Sequence, residues 1–371
     1  MVRLLFTALL IVHGLIHLIG FSKEWKIGPT TLLSGKTLFP LSAGAAKFAG
    51  ICWLITFLIW MITLACFTLK KDSFWIAALI AGVLSQLLII IYWHDAKYGT
   101  IANVIVLVAV IINIARVSFD KRVGKELSSL LAARSTYSKE LRNDSATSLP
   151  PVVEKWLNVT RSTSVIPSQV KLTQQGAMRS KPAADWMSFI ARQHFTTDPP
   201  GFIWNARINA PGYVTIAGRD KFENGKGNML IKPLYLFTLA NSTGKEIDQG
   251  TMLRYMGELI WFPEAANKEY FEWAQIDSVT ATLKMSFKGV SAEGTFVFDE
   301  KGFVRRFSAQ RFGDFDGEFR METWEVKVIE YTEMNDHLIA SKCDVTWKLK
   351  DGDFTWLKLE IKDIAYDGHI K

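Results

Sequence analysis

Four long apolar runs in the first 120 residues constrain this chain more than any other feature: Leu4 to Phe21, Ala45 to Leu69, Phe74 to Trp93 and Ile101 to Val117. A helix needs roughly 20 apolar residues to cross a hydrocarbon core, and each run reaches or approaches that length. An integral membrane protein is therefore expected. Arg3 ahead of the first run imitates a secretory leader. However, His13, Gly14 and His17 interrupt the run and no small-x-small cleavage site follows, which predicts a retained helix. Trp25, Trp75, Tyr92 and Trp93 stand at run ends, where amphipathic rings prefer the interface.

Charge separates the two parts of the chain. Up to Leu149 there are 15 Lys and Arg against 7 Asp and Glu, and from Pro150 onward 28 against 29, so the net +7 is +8 from the first part and −1 from the second. A basic excess beside apolar runs is membrane chemistry rather than a nucleic-acid footprint, and no nucleic-acid partner is expected. Four crossings place the C-terminal part on the side of the N-terminus. Arg3, Lys70, Lys71, Arg116, Lys121, Arg122 and Lys125 fall on that side, against Lys23, Lys26, Lys36, Lys47 and Lys97 opposite, a bias toward a cytoplasmic domain. Cys52, Cys66 and Cys343 lie far apart, form no CxxC and are assigned no chemistry.

Ionisable groups at membrane depth are costly and mark candidate sites. His13 and His17, four apart, share a helix face, and His94 with Asp95 ends the third run. Histidines from two helices could bind a haem, a metal or a quinone. The plainer expectation is interhelical hydrogen bonding to Gln86, Asn103 or Asn113, because no third ligand has motif-grade spacing. No cofactor and no metal is expected.

Residues 121–148 are polar and charged, with Leu127, Leu130 and Leu131 at helical spacing, and read as an amphipathic or flexible connector. Pro150-Pro151 then opens a short helix through Trp156 and Leu157. Beyond it the period shifts toward 2. Val170 to Thr173, Trp186 to Phe195, Phe202 to Ile208, Tyr213 to Phe222 and Met229 to Phe237 read as strands. The pattern returns over Glu272 to Phe287, Ala292 to Phe298, Val304 to Phe312, Glu322 to Tyr331, Leu338 to Leu349 and Phe354 to Ala365. Asn224-Gly225, Asp299 to Gly302 and Asp351-Gly352 read as hairpin turns. The interruption, Ile247 to Ala266, is helical: Leu253, Met256, Gly257, Ile260 and Trp261 share a face, and Pro263 stops it. The predicted organisation is multi-domain: a four-helix transmembrane bundle over 1–120, a linker over 121–148 and a mainly antiparallel β domain over 149–371. That domain is expected to be a curved sheet or half-barrel of about ten strands around an inserted helix.

Several blocks in order, Leu149-Pro150 with Trp156-Leu157, Gln175 to Met178, Asp198 to Trp204, Gly218 to Asp220, Asp248 to Gly250 and Glu258 to Pro263, resemble an uncharacterised bacterial family of unknown function. The resemblance covers roughly 149 to 367 and implies no activity. The membrane region, with His13-Gly14-x-Ile16-His17 and Asp95 to Asn103, is similar to segments joined to such domains. In strand order the domain also resembles the half-barrels that carry lipoproteins or lipids across bacterial envelopes, an analogy without matching functional residues. It implies an extracytoplasmic domain, against the charge bias. A multi-pass protein of the cell (inner) membrane is expected, with the side of the domain open between the two.

Candidate site residues follow from these segments. Phe202 and Trp204, after the Asp198-Pro199-Pro200-Gly201 turn, could shape the mouth of an apolar pocket or simply lock strand register. Arg254 and Glu258 could pair at i, i+4, with Asp248 near the helix start and Asp220 nearby only if its strand approaches. An enzyme acting on a membrane-associated substrate would use Glu258 as acid or base and Arg254 as a clamp. No GxSxG, Walker loop, GxGxxG or HExxH accompanies them, and His194, His337 and His369 belong to no ligand motif. The leading expectation is a membrane-anchored binding or carrier module for a lipid or other apolar ligand, held near Met256 and Trp261. The bilayer and such a ligand are its expected partners, and nothing designates a protein partner.

Overall fold

The computed structural model describes residues 2–28, 33–137, 149–160, 165–315 and 317–367, and it divides into two compact units, Met1–Asp120 and Lys121–Lys371. The first unit contains α1 (Val2–Glu24), α2 (Ala43–Thr68), α3 (Phe74–Ile91), a single turn α4 (Trp93–Ala96) and the start of α5 (Gly99–Tyr137). Four of these helices are long and apolar enough to cross a membrane. The Ser42 hydroxyl accepts the Ala45 N–H at 3.2 Å and caps α2. Leu10, Trp60, Ala78, Ala81, Val106 and Val110 fill the interior, the small alanines letting the helices approach closely. Ile55, Leu58 and Ile62 point outward and are about half exposed. A bundle that is apolar outside as well as inside is suited to lipid as its solvent.

The second unit is built on one antiparallel sheet. Its strands are β1 (Gln169–Met178), β2 (Met187–Thr197), β3 (Pro200–Ala210), β4 (Val214–Glu223), β5 (Lys226–Pro233), β6 (Ala240–Ser242), β7 (Phe271–Gln275), β8 (Thr280–Phe287), β9 (Val290–Phe298), β10 (Val304–Phe315), β11 (Glu318–Met334), β12 (His337–Leu349) and β13 (Gly352–Tyr366). The spatial order is β6-β5-β4-β3-β2-β1-β13-β12-β11-β10-β9-β8-β7. The chain meanders outward from the centre to β6, crosses over, and meanders back from the opposite edge until β13 pairs with β1. Alternation sets which side is buried: Ala281, Leu283, Met285 and Phe287 of β8 face inward and their neighbours do not. In β13 Ile361 and Ile364 are both buried although three apart. The β1–β13 register slips between Thr173 and Gln174, and the bulge at Lys362 restores the inward phase. Asn224 and Gly225 both have positive φ, as the two-residue turn joining β4 to β5 requires.

The crossover determines the curvature. In a flat sheet of 13 strands the edges would stand roughly 58 Å apart at ~4.8 Å per spacing, whereas α7 (Lys245–Gly257), with 13 residues, reaches only ~20 Å. The sheet therefore curls around the helix, which packs on β4 and β5 from one half and on β8, β9 and β10 from the other. The short strands β6 and β7 remain edges, so the sheet stays open. One aromatic-rich core fills the concavity, with Trp156, Phe195, Phe222, Tyr255, Trp261, Phe262, Phe296 and Phe307 almost fully buried. The short helix α6 (Pro151–Val159), with proline in its first turn, lays Trp156 on Phe296 and Phe298.

The fold corrects three expectations. The described residues form 13 strands where about ten are expected, because the stretch from Glu272 to Phe287 breaks at Ile276–Val279 into a hairpin and the three-residue β6 has no readable period. The stretch from Ile247 to Ala266 is not one helix: α7 ends at Gly257 and is followed by two 3-10 turns, Glu258–Trp261 and Pro263–Asn267. α7 is also enclosed nearly all round rather than on one face, with Thr251, Met252, Leu253, Tyr255 and Met256 all buried. The polar stretch read as an amphipathic or flexible connector begins as helix, since α5 continues to Tyr137 and buries Val123 and Leu130, while residues 138–148 lie outside the described residues.

Candidate functional site

Between the concave face of the sheet and α7 with its first 3-10 turn lies a cavity of about 180 Å³. That is about 12 to 18 times the ~10–15 Å³ a single water needs. Its wall is mostly apolar, including Met178, Phe189, Ile208, Ile231, Leu357 and Leu359.

One side of the cavity carries a buried ionic network. The Arg254 guanidinium donates to Asp220 Oδ2 at 2.7 Å and to Glu258 Oε1 at 2.9 Å, and it lies 5.0 Å from the ring centres of both Phe202 and Trp204. Gln193 donates to Glu258 Oε2 at 2.7 Å, Gln174 donates to Gln193 at 3.1 Å, and the Trp204 indole donates to Gln174 at 2.9 Å. Both carboxylate oxygens of Glu258 are thus engaged. The three charged side chains are only 10–16 % exposed, so salt will screen them little. Burial pushes the Glu258 carboxyl above its ordinary range against the pull of Arg254. Burial alone would lower Arg254, but Glu258 and Asp220 hold it above its usual value.

A second arginine, Arg311 of β10, lines the same cavity without such partners. Its side chain packs 4.7 Å from the Trp324 ring centre and 5.9 Å from that of Trp347, and its buried Nε has no hydrogen-bond acceptor. Burial brings its guanidinium down to about 10, still charged at neutral pH. A Cβ on Gly250 of α7 would stand 3.2 Å from Arg311 Nε, so glycine there makes room for this side chain. The Trp324 and Trp356 indole N–H groups, on residues lining the cavity, are also buried without acceptors.

The sequence candidates separate into distinct places. Asp220, Arg254, Glu258, Trp204 and Trp261 come together at the cavity, where the Trp261 indole donates to the Ala340 carbonyl at 2.9 Å. Phe202 lies beneath Arg254 in the core, and Met256 is fully buried without lining the cavity. Asp248 is elsewhere: it accepts the Gly227 N–H at 2.7 Å and Lys226 Nζ at 2.9 Å, which fastens the start of α7 to the β4–β5 hairpin. Arg219, next to Asp220, turns to the other face and pairs with Glu126 of α5 at 3.0 Å. Gln174, Gln193 and Arg311 were not anticipated. Each occupies an inward position in its strand's alternation, and a polar residue at a core phase was the available signal.

In the first unit His13 and His17 are buried and hydrogen-bonded. His13 Nε2 meets Asn103 Oδ1 at 2.8 Å, His17 Nε2 meets Ser85 Oγ at 2.9 Å, and Asn103 donates to Gln86 at 3.0 Å. Asn113 lies apart, beside Asp72 and Arg116. His94 does not join them, because it sits on the turn after α3 with Asp95 and Ser34, and its side chain is 64 % exposed. Asp95 instead accepts from the Ser34 hydroxyl at 2.8 Å and the Gly35 N–H at 2.9 Å. Among the described residues no three His, Cys, Asp or Glu side chains converge as a metal site. His369 lies outside the described residues.

His194 faces away from the network on β2, opposite Lys171. Burial, reinforced by Lys171 and Arg192, brings its imidazole down to about 4 from 6.5. The folded state holds it neutral and the unfolded chain protonates it. Its contribution is therefore complete above pH 6.5 and lost as pH falls toward 4, at most about 3 kcal/mol. Thermal melts at pH 7 and pH 5 should show a smaller acid loss for His194→Gln than for the wild type. Equal losses would place the acid sensitivity elsewhere.

No curated protein matches the chain in sequence. Solved structures that resemble it include a DUF1329 family protein from Desulfovibrio piger, 8 % identical over 60 % of this chain and 96 % of that one, with a TM-score of 0.35. Another is a LolA superfamily protein from Nitrosomonas europaea, 11 % identical over 58 % and 91 % of the two chains, with a TM-score of 0.27. Residues 139–359, more than half of the chain, match a family of unknown function, DUF6544, and the chain belongs to that family.

Proposed function

We propose that this protein is a multi-pass module of the cell (inner) membrane that binds or carries a lipid or another apolar ligand, seated between the curved sheet and α7. In this reading residues 1–120 are the membrane anchor, 121–148 the connector and 149–371 the binding domain. The observation that carries it is the cavity: a close-packed interior normally leaves few voids larger than a water, yet this one lies in the middle of the concavity with a mainly aliphatic and aromatic wall. Four apolar helices would keep such a domain where apolar ligands are concentrated. The enzymatic alternative through Glu258 is weaker, because Arg254 and Gln193 occupy both of its oxygens and fit it to positioning α7. Native mass spectrometry of the whole chain, gently extracted from membranes, should show a stoichiometric adduct of lipid mass. A folded chain that arrives empty and stays empty after incubation with lipid would overturn the reading.

A further inference from the structure

The cavity is not uniformly apolar, and what is left over in its wall is specific. Asp220 and Glu258 are both engaged by Arg254, and Arg311 makes no hydrogen bond or ion pair among the described residues. A buried guanidinium held only by indole faces lacks a counter-ion within contact distance, a costly arrangement unless something else supplies the charge. Two further donors, the Trp324 and Trp356 indole N–H groups, belong to the same wall and also lack acceptors. Buried donors in native proteins are nearly always satisfied by protein, water or ligand, and these three gather around one cavity that can bring a ligand's acceptor atoms to them. Among the described residues the one buried side-chain acceptor in this wall without a partner, Asp220 Oδ1, cannot serve all three. Gly250 adds to the case, because a Cβ there would stand 3.2 Å from Arg311 Nε and the arginine would have to shift by a few tenths of an ångström.

We infer that the cavity takes an anionic amphiphile, whose carboxylate or phosphate oxygens are received by the Arg311 guanidinium with the Trp324 and Trp356 N–H groups as further donors, while its alkyl part lies against the apolar wall. The inference rests on the cavity being a ligand site and adds the charge and position of the headgroup. A guanidinium fork matches either oxyanion in two-point contact, and aromatic faces on its flanks fix its plane. A free fatty acid and an acidic phospholipid offer the same chemistry, so the experiment must separate them.

The test uses the delipidated whole chain in a neutral maltoside detergent, with affinities for oleate, oleyl alcohol and lysophosphatidate of the same chain length read by displacement of a fluorescent fatty acid. Charge-assisted pairing predicts oleate or lysophosphatidate binding roughly 10- to 100-fold tighter than the alcohol, and Arg311→Gln should bring that ratio close to one. Preference for oleate identifies a free acid as the source, and preference for lysophosphatidate a phospholipid; both support the inference. Trp356→Phe, which removes one N–H and keeps the ring, should lower the ratio severalfold and serves if Arg311→Gln fails to melt cooperatively. Equal binding of acid and alcohol by the wild type, or a ratio unmoved in both variants, would overturn the headgroup assignment and leave the carrier reading standing. A folded wild type that binds none of the three would overturn both.

Discussion

Arg254→Met is expected to cost about 3–5 kcal/mol of stability in the second unit, because it leaves two buried carboxylates facing each other without the cation between them. Asp220 and Glu258 both lose their partner, at 2.7 and 2.9 Å, and the Phe202 and Trp204 rings lose the charge they flank. At ~2–4 °C per kcal/mol for a domain of this size, the melting temperature should fall by roughly 10 °C. The pH dependence gives a second signature. Burial already raises the Glu258 carboxyl, and removing Arg254 takes away what opposes that rise. A group whose folded-state pKa is raised contributes stability below its unfolded value and loses it as pH rises through the folded one, so Arg254→Met should be more damaging at pH 8 than at pH 5. Removing the charges together, as Arg254→Met with Asp220→Asn and Glu258→Gln, should recover much of the loss. Near-UV circular dichroism melts of the wild type, the single variant and the triple variant would show it. A single variant as stable as the wild type would mean the network does not hold α7 in place.

The parts of this structure that could be read from sequence are those set by local period. A run of about twenty apolar residues specifies a helix long and apolar enough to cross a membrane, and the alternation of Ala281, Leu283, Met285 and Phe287 specifies an inward face. The Arg254–Glu258 pair was legible for the same reason, since four residues along a helix fix the separation. What could not be read depends on neighbours distant in sequence. Asp220 reaches Arg254, 34 residues away, only because β4 curls against α7, and Arg311 enters the cavity from the other half of the sheet. Asp248 shows the converse, because its helical position suggested the cluster while the β4–β5 hairpin claims both its oxygens. His94 follows the third helix closely enough to suggest a site with His13 and His17, yet the chain turns at Tyr92 and carries it outward. Gln174 and Gln193 were visible as polar residues at core phases, a signal that strand patterning alone tends to discard.

Filling the cavity should separate binding from folding. Val326 of β11 and Val345 of β12 are register partners, both line the cavity and both are nearly buried. In a close-packed core, enlarging them to phenylalanine would force neighbours off their rotamers at about 1–3 kcal/mol each. Facing empty space, the two rings instead gain apolar burial, and stability should hold or rise by up to ~2 kcal/mol. The ligand's room is removed at the same time, so lipid adducts in native mass spectra should fall at least about tenfold, the equivalent of ~1.4 kcal/mol in affinity. The two measurements are thus expected to move in opposite directions, which an unfolding variant cannot imitate. A double variant that melts normally and still carries its lipid would place the ligand away from the concave face. The α3–α5 groove lined by Ala78, Gln86, Thr100 and Asn103 would then be the next place to apply the same substitution.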